Sequence, residues 1–81
     1  MAITFEDFQA ECLRLVETSP ERARWRITFR EEDFGREWLT DVTAGTHSAL
    51  VRTFSASAGP TIAHDVLTQI DVILKELSSG A

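Results

Sequence analysis

Apolar residues recur every three or four positions near both ends of the chain and alternate singly with polar ones between. That pattern predicts helix, strand, strand, strand, helix. Near the start, Phe5, Phe8, Cys12, Leu15 and Val16 fall on one helical stripe. Thr4 is placed to cap this helix, with Asp7 three residues on, and Ile3 and Phe8 hold the two hydrophobic-staple positions. Glu6 and Asp7 sit at the positive end of the helix dipole. The stripe ends near Glu17, and Ser19-Pro20 stops the helix.

Strict alternation follows over Ala23–Arg30, with Trp25, Ile27 and Phe29 on one face and Arg24, Arg26 and Arg30 on the other. A polar turn over Glu31–Gly35 contains Phe34. A second strand is expected over Arg36–Val42, a tight turn at Ala44-Gly45, and a third strand over Thr46–Phe54. The small residues Ser55–Gly59 read as a loop. The last helix should begin after Gly59, with Pro60 in its first turn. Ala63, Val66, Leu67, Ile70, Ile73, Leu74 and Leu77 form its apolar face, Asp71 and Lys75 an i, i+4 pair, and Gly80 its end.

The alternation also implies a register. Phe29 is expected opposite Trp38, Ile27 opposite Thr40 and Trp25 opposite Val42. The other face then pairs Arg30 with Glu37, Thr28 with Leu39 and Arg26 with Asp41. Across the second turn, Trp38 should face Val51, Thr40 face Ala49, Glu37 face Arg52 and Leu39 face Leu50. A slip of one residue would put Trp25 and Asp41 on one face. The fold expected over residues 1–81, read as one domain, is α+β. Its three-stranded antiparallel sheet carries both helices on one face. The expected core is Phe5, Phe8, Cys12, Val16, Trp25, Ile27, Phe29, Trp38, Val42, Val51, Val66, Ile70, Leu74 and Leu77.

Composition narrows the function classes. A chain of 81 residues has a small core, and dimerisation is one route to stabilise it. Cys12 is the only cysteine, so no disulfide forms within the chain, and a reducing, cytoplasmic setting is expected. No apolar run approaches a membrane span. The net charge of −5 disfavours non-specific attachment to nucleic acid or anionic lipid.

Candidate chemistry is sparse. Cys12 lies on an apolar stripe, where a buried inert thiol is the default. His47 and His64 lack metal-ligand spacing, and His64-Asp65 are adjacent on a helix and diverge. Thr40 and Thr61 have no evident base. No catalytic residue, cofactor or metal is expected. The sheet face away from the helices is the main candidate, with Arg26, Arg30, Glu37, Leu39, Leu50, Arg52 and Phe54 combining charge pairs with an apolar patch. A second candidate is the acidic group Glu31, Glu32 and Asp33. Glu6, Asp7, Glu11 and Glu17 add acid along the first helix against Arg14 alone.

The element order over almost the whole chain resembles the double-stranded RNA-binding domain. That family usually carries a basic cluster at the start of its second helix and a Gly-Pro-x-His type loop between strands one and two. The corresponding places here read Gly59-Pro60-Thr61-Ile62-Ala63-His64-Asp65 and Glu31-Glu32-Asp33-Phe34-Gly35, and neither motif is present. The arrangement with an acidic balance is also similar to dimeric secretion chaperones and small phage-encoded inhibitors. The expected function is a non-catalytic protein-binding domain (a homodimerising adaptor, regulator or inhibitor) using the exposed sheet face. The alternatives are an acidic mimic that blocks a basic nucleic-acid-binding site on a partner, and a double-stranded nucleic-acid-binding module. The partner expected is another protein, a second copy of the chain included.

Overall fold

Local signals set the element ends. Thr4 Oγ1 accepts a hydrogen bond from the Asp7 N–H at 3.0 Å and starts α1 (Phe5–Glu17). The Thr18 hydroxyl donates to the Arg14 carbonyl at 3.0 Å, that of Ser19 to the Leu15 carbonyl at 2.7 Å, and Pro20 then opens a short 3-10 turn over Pro20–Arg22. In this computed structural model, which describes residues 3–80, the strands are β1 (Arg26–Glu32), β2 (Glu37–Ala44) and β3 (His47–Phe54). A 3-10 turn over Ser55–Ser57 leads to α2 (Ile62–Ser79). The strands form one antiparallel sheet in the order β1-β2-β3, so the αβββα order is an α+β fold.

The faces of the strands are as expected, but the pairing is shifted by two residues in both hairpins. Phe29 lies opposite Thr40 rather than Trp38, and Ile27 opposite Val42. Trp38 lies opposite Thr53 rather than Val51, and Thr40 opposite Val51. The cause is turn chemistry. Gly45, at φ +64°, leads a two-residue turn, Gly45-Thr46, closed by Ala44 and His47. The leading position of such a turn needs a positive φ, which glycine accepts and Ala44 resists. Moving the turn by one residue moves the pairing by two, and a slip of two preserves every face. In the first hairpin, pairing runs on to Glu32 and Glu37. Asp33, Phe34 and Gly35 at the tip have φ of 54°, 57° and 81°.

The core lies between the inner sheet face and the helices. Phe8, Cys12, Trp38, Val42, Val51, Val66 and Ile70 are buried as expected, joined by Ala49, Ala58, Ala63 and Leu67. α2 packs on β3 and α1 packs on α2. Phe8 anchors α1 to the sheet, stacked on Trp38 with ring centroids 5.2 Å apart and edge-on to Phe29 at 5.8 Å. Burying a side chain of this size contributes about 1.5–3 kcal/mol. Four expectations change. Phe5, Val16, Trp25, Ile27, Phe29 and Leu74 are only half-buried, and Leu77 is 45% exposed because the last turn of α2 carries only exposed residues. Pro60 precedes α2 rather than lying in its first turn. Trp25 lies just outside β1. Asp71 pairs with Arg22, not with Lys75. The Arg22 guanidinium reaches both Asp71 carboxylate oxygens, at 2.6 and 3.3 Å, and ties the Pro20–Arg22 turn to α2.

Candidate protein-binding surface

Alternation turns every second strand residue away from the helices, so the outer sheet face can be read row by row. Arg30, Leu39 and Arg52 lie side by side across the three strands, as do Thr28, Asp41 and Leu50, and Glu32, Glu37 and Phe54. The charge pairing follows this shifted register. Arg52 Nε meets Glu37 Oε1 at 2.9 Å, the expected partners in a diagonal arrangement. Arg30 pairs with Glu32 on its own strand at 3.2 Å rather than with Glu37. Each arginine thus offsets one of two glutamates that stand directly opposite each other, a placement that would otherwise repel. Arg26 faces Thr43 instead of Asp41, and among the described residues it makes no ion pair. These exposed pairs each add about 0.2–1 kcal/mol at most.

The apolar part of this face is smaller than expected. Leu39 is only 4% exposed, because it occupies the central strand between the long side chains of Arg30 and Arg52. Leu50 and Phe54 remain open at 56% and 55%. They are four residues apart on β3, about 13 Å at about 3.3 Å per residue, with Arg52 between them. The face therefore offers two apolar points set among charges, not one continuous patch. A shallow hollow of about 80 Å³ lies between Leu50, Leu39, Asp41, Thr28, Phe29 and Arg30.

The acidic group lies at the end of the first hairpin, with Glu31, Glu32 and Asp33 all exposed. Arg30 holds Glu32, and Arg36 stands 3.8 Å from Asp33. Phe34 at the tip is 97% exposed and has a positive φ, an uncommon conformation for a bulky residue. On α1, Glu11 pairs with Arg14, and that hydrogen bond holds the Glu11 carboxyl below its ordinary range. The arginines of β1 do not combine with aromatic platforms. Trp38 is buried on the inner face, and the Arg22 guanidinium lies over the ring of Trp25, 5.2 Å from its centroid.

A cleft that sequence pattern did not bring together runs between the Pro20–Arg22 turn, the Gly45 turn and the end of α2. It has a volume of about 490 Å³ and is lined by Glu21, Trp25, Ala44, His47, Asp71, Leu74, Lys75 and Ser78. The alternating pattern marks Trp25 as core. Its half-exposure follows from its place just outside the sheet. The Arg22–Asp71 pair closes one wall, and the shared hydrogen bond keeps Arg22 firmly protonated. Cys12 is fully buried, and desolvation pushes its thiol up to about 12, which makes it a poor nucleophile. Among the described residues no group of three or more His, Cys, Asp or Glu side chains is placed to hold a metal ion. No described helix is long and apolar enough to cross a membrane. No family model, curated protein or solved structure matches the chain.

Proposed function

We propose that this chain is a non-catalytic domain that binds another protein through the outer face of its sheet. The observation that carries this reading is the exposure of Leu50 and Phe54, at 56% and 55%, on a face that neither helix covers. Large apolar side chains rimmed by charge suit a partner that buries them while the rim excludes water. Arg30, Glu37 and Arg52 supply that rim. The test is a comparison of the wild-type chain with Leu50→Lys as bait in extracts of its host. A protein retained by the first and lost by the second, with unchanged circular dichroism, is the expected result. Recovery of the same proteins by both baits would sink the reading.

A second reading rests on the hairpin tip. Glu31, Glu32 and Asp33 flank a fully open Phe34, a combination that suits a basic surface with an apolar recess. In this reading the domain acts as an acidic mimic on a nucleic-acid-binding partner. Reversing all three charges should then abolish capture of that partner and leave the Leu50-dependent one in place.

A further inference from the structure

β1 is an edge strand. One side of its backbone is paired with β2, and among the described residues no strand pairs with the other side, which presents its N–H and C=O groups. Its charges are polarised along its length. Arg26 stands at its start with Arg24 just before it, and Glu31 and Glu32 stand at its end with Asp33 just after, while Arg30, next to that acidic end, bridges to Glu32. Its inner side chains, Ile27 and Phe29, are only half-buried. An edge with a basic beginning and an acidic end is complementary to itself when reversed.

We propose that β1 pairs antiparallel with β1 of a second copy about a two-fold axis at Phe29, joining two three-stranded sheets into one of six. In this register Arg26 of each copy stands opposite Glu32 of the other, twice per dimer. Thr28 meets Arg30, Ile27 meets Glu31, and the two Phe29 rings meet on the helix side. Charge selects this register. An axis at Thr28 sets Arg26 against Arg30, and one at Arg30 sets Arg30 against itself. An axis at Glu31 sets Glu31 against itself and overlaps little of the strand. An odd-numbered slip would bring the half-buried apolar side of one copy against the charged side of the other. The opposite edge offers no such match, because β3 contains no acidic residue. The pairing also gives an acidic partner to Arg26, which makes no ion pair among the described residues. This inference concerns the edge of the sheet, so it stands or falls separately from binding at the outer face.

The experiment is solution mass by light scattering over a dilution series, at low salt, on the whole chain. The wild type, Arg26→Glu, Glu32→Arg and the double exchange are compared, with Leu50→Lys as a control. Expected is a wild-type dimer that dissociates on dilution, with a dissociation constant raised roughly tenfold by either single reversal. The double exchange restores it, the control leaves it unchanged, and added salt weakens it. A wild type that is monomeric throughout overturns the proposal, as does a dimer indifferent to both reversals or a double exchange that fails to restore it. A dimer lost only in Leu50→Lys overturns it in favour of the outer face. Should circular dichroism show a reversal to be unfolded, Arg26→Gln and Glu32→Gln weaken the dimer in the same sense by a smaller factor.

Discussion

The two flanks of the sheet are finished differently. Over β3, α2 closes the inner face, leaving Ala49, Val51 and Thr53 only 5–7% exposed. Under β1, Ile27 and Phe29 stay half-open even though Phe8 reaches Phe29 from α1. The same alternating pattern therefore has two outcomes. Which one a strand meets depends on the helix above it rather than on its own composition. Two helices crossing one face close two strands well and a third poorly. The poorly closed flank is the one whose edge carries opposite charges at its two ends. On the inner face the closed flank supplies stability, and the open flank leaves Ile27 and Phe29 only partly covered.

Cutting into the closed flank should have the largest effect. Ile70 is fully buried in the packed cluster, and Ile70→Ala should lower the unfolding free energy by about 2–5 kcal/mol, measured by urea denaturation. The equivalent cut on the open flank, Ile27→Ala, removes a half-exposed side chain and should cost about 1–2 kcal/mol in dilute solution. If the edges pair and the truncation weakens that pairing, this second cost grows with protein concentration, because dimerisation stabilises the folded state by mass action. Equal costs at the two positions would mean that the flanks are closed alike.

Cys12, buried on α1, reports on the core through pH. Its thiol is raised to about 12 by burial, whereas an unfolded thiol ionises near pH ~8.5. Above that value the unfolded chain loses its proton and the folded chain keeps it. The thiol's contribution is therefore complete below pH ~8.5 and falls by about 1.4 kcal/mol per pH unit as pH rises toward about 12. The stability difference between the wild type and Cys12→Ala should shrink in that window and be flat below it. The thiol should also resist alkylation at neutral pH until denaturant opens the core.

Much of this arrangement was legible in the sequence. Thr4 with Asp7, Pro20 and Gly80 marked helix ends that the structure retains. The period-two alternation placed the strand residues it covered on their correct faces, because face depends only on parity, although it ended the first two strands two residues early. Register does not. It depends on where a turn sits, and the turn sits where Gly45 can lead it with φ +64°. For the candidate site, the residues were legible but their exposure was not. Leu39 looks identical to Leu50 in a polar-apolar alternation, and only its place on the central strand buries it. The Arg22–Asp71 clamp was beyond reach, since its partners are 49 residues apart and no periodicity links them.

The smallest effect tests whether the closed flank is as finished as its burial suggests. Thr40 is fully buried at the centre of β2's inner face, with Val51 opposite. Among the described residues its hydroxyl has no hydrogen-bond partner, and neither does Trp38 Nε1 two positions away. A hydroxyl in that position has given up water without replacement, which costs free energy even though the shape of the side chain fits. Valine has the same shape and no hydroxyl. Thr40→Val should therefore stabilise the fold by about 1 kcal/mol, seen as a raised urea midpoint with unchanged slope. A lowered midpoint would mean that the hydroxyl is satisfied in solution and that the centre of the closed flank is polar by design.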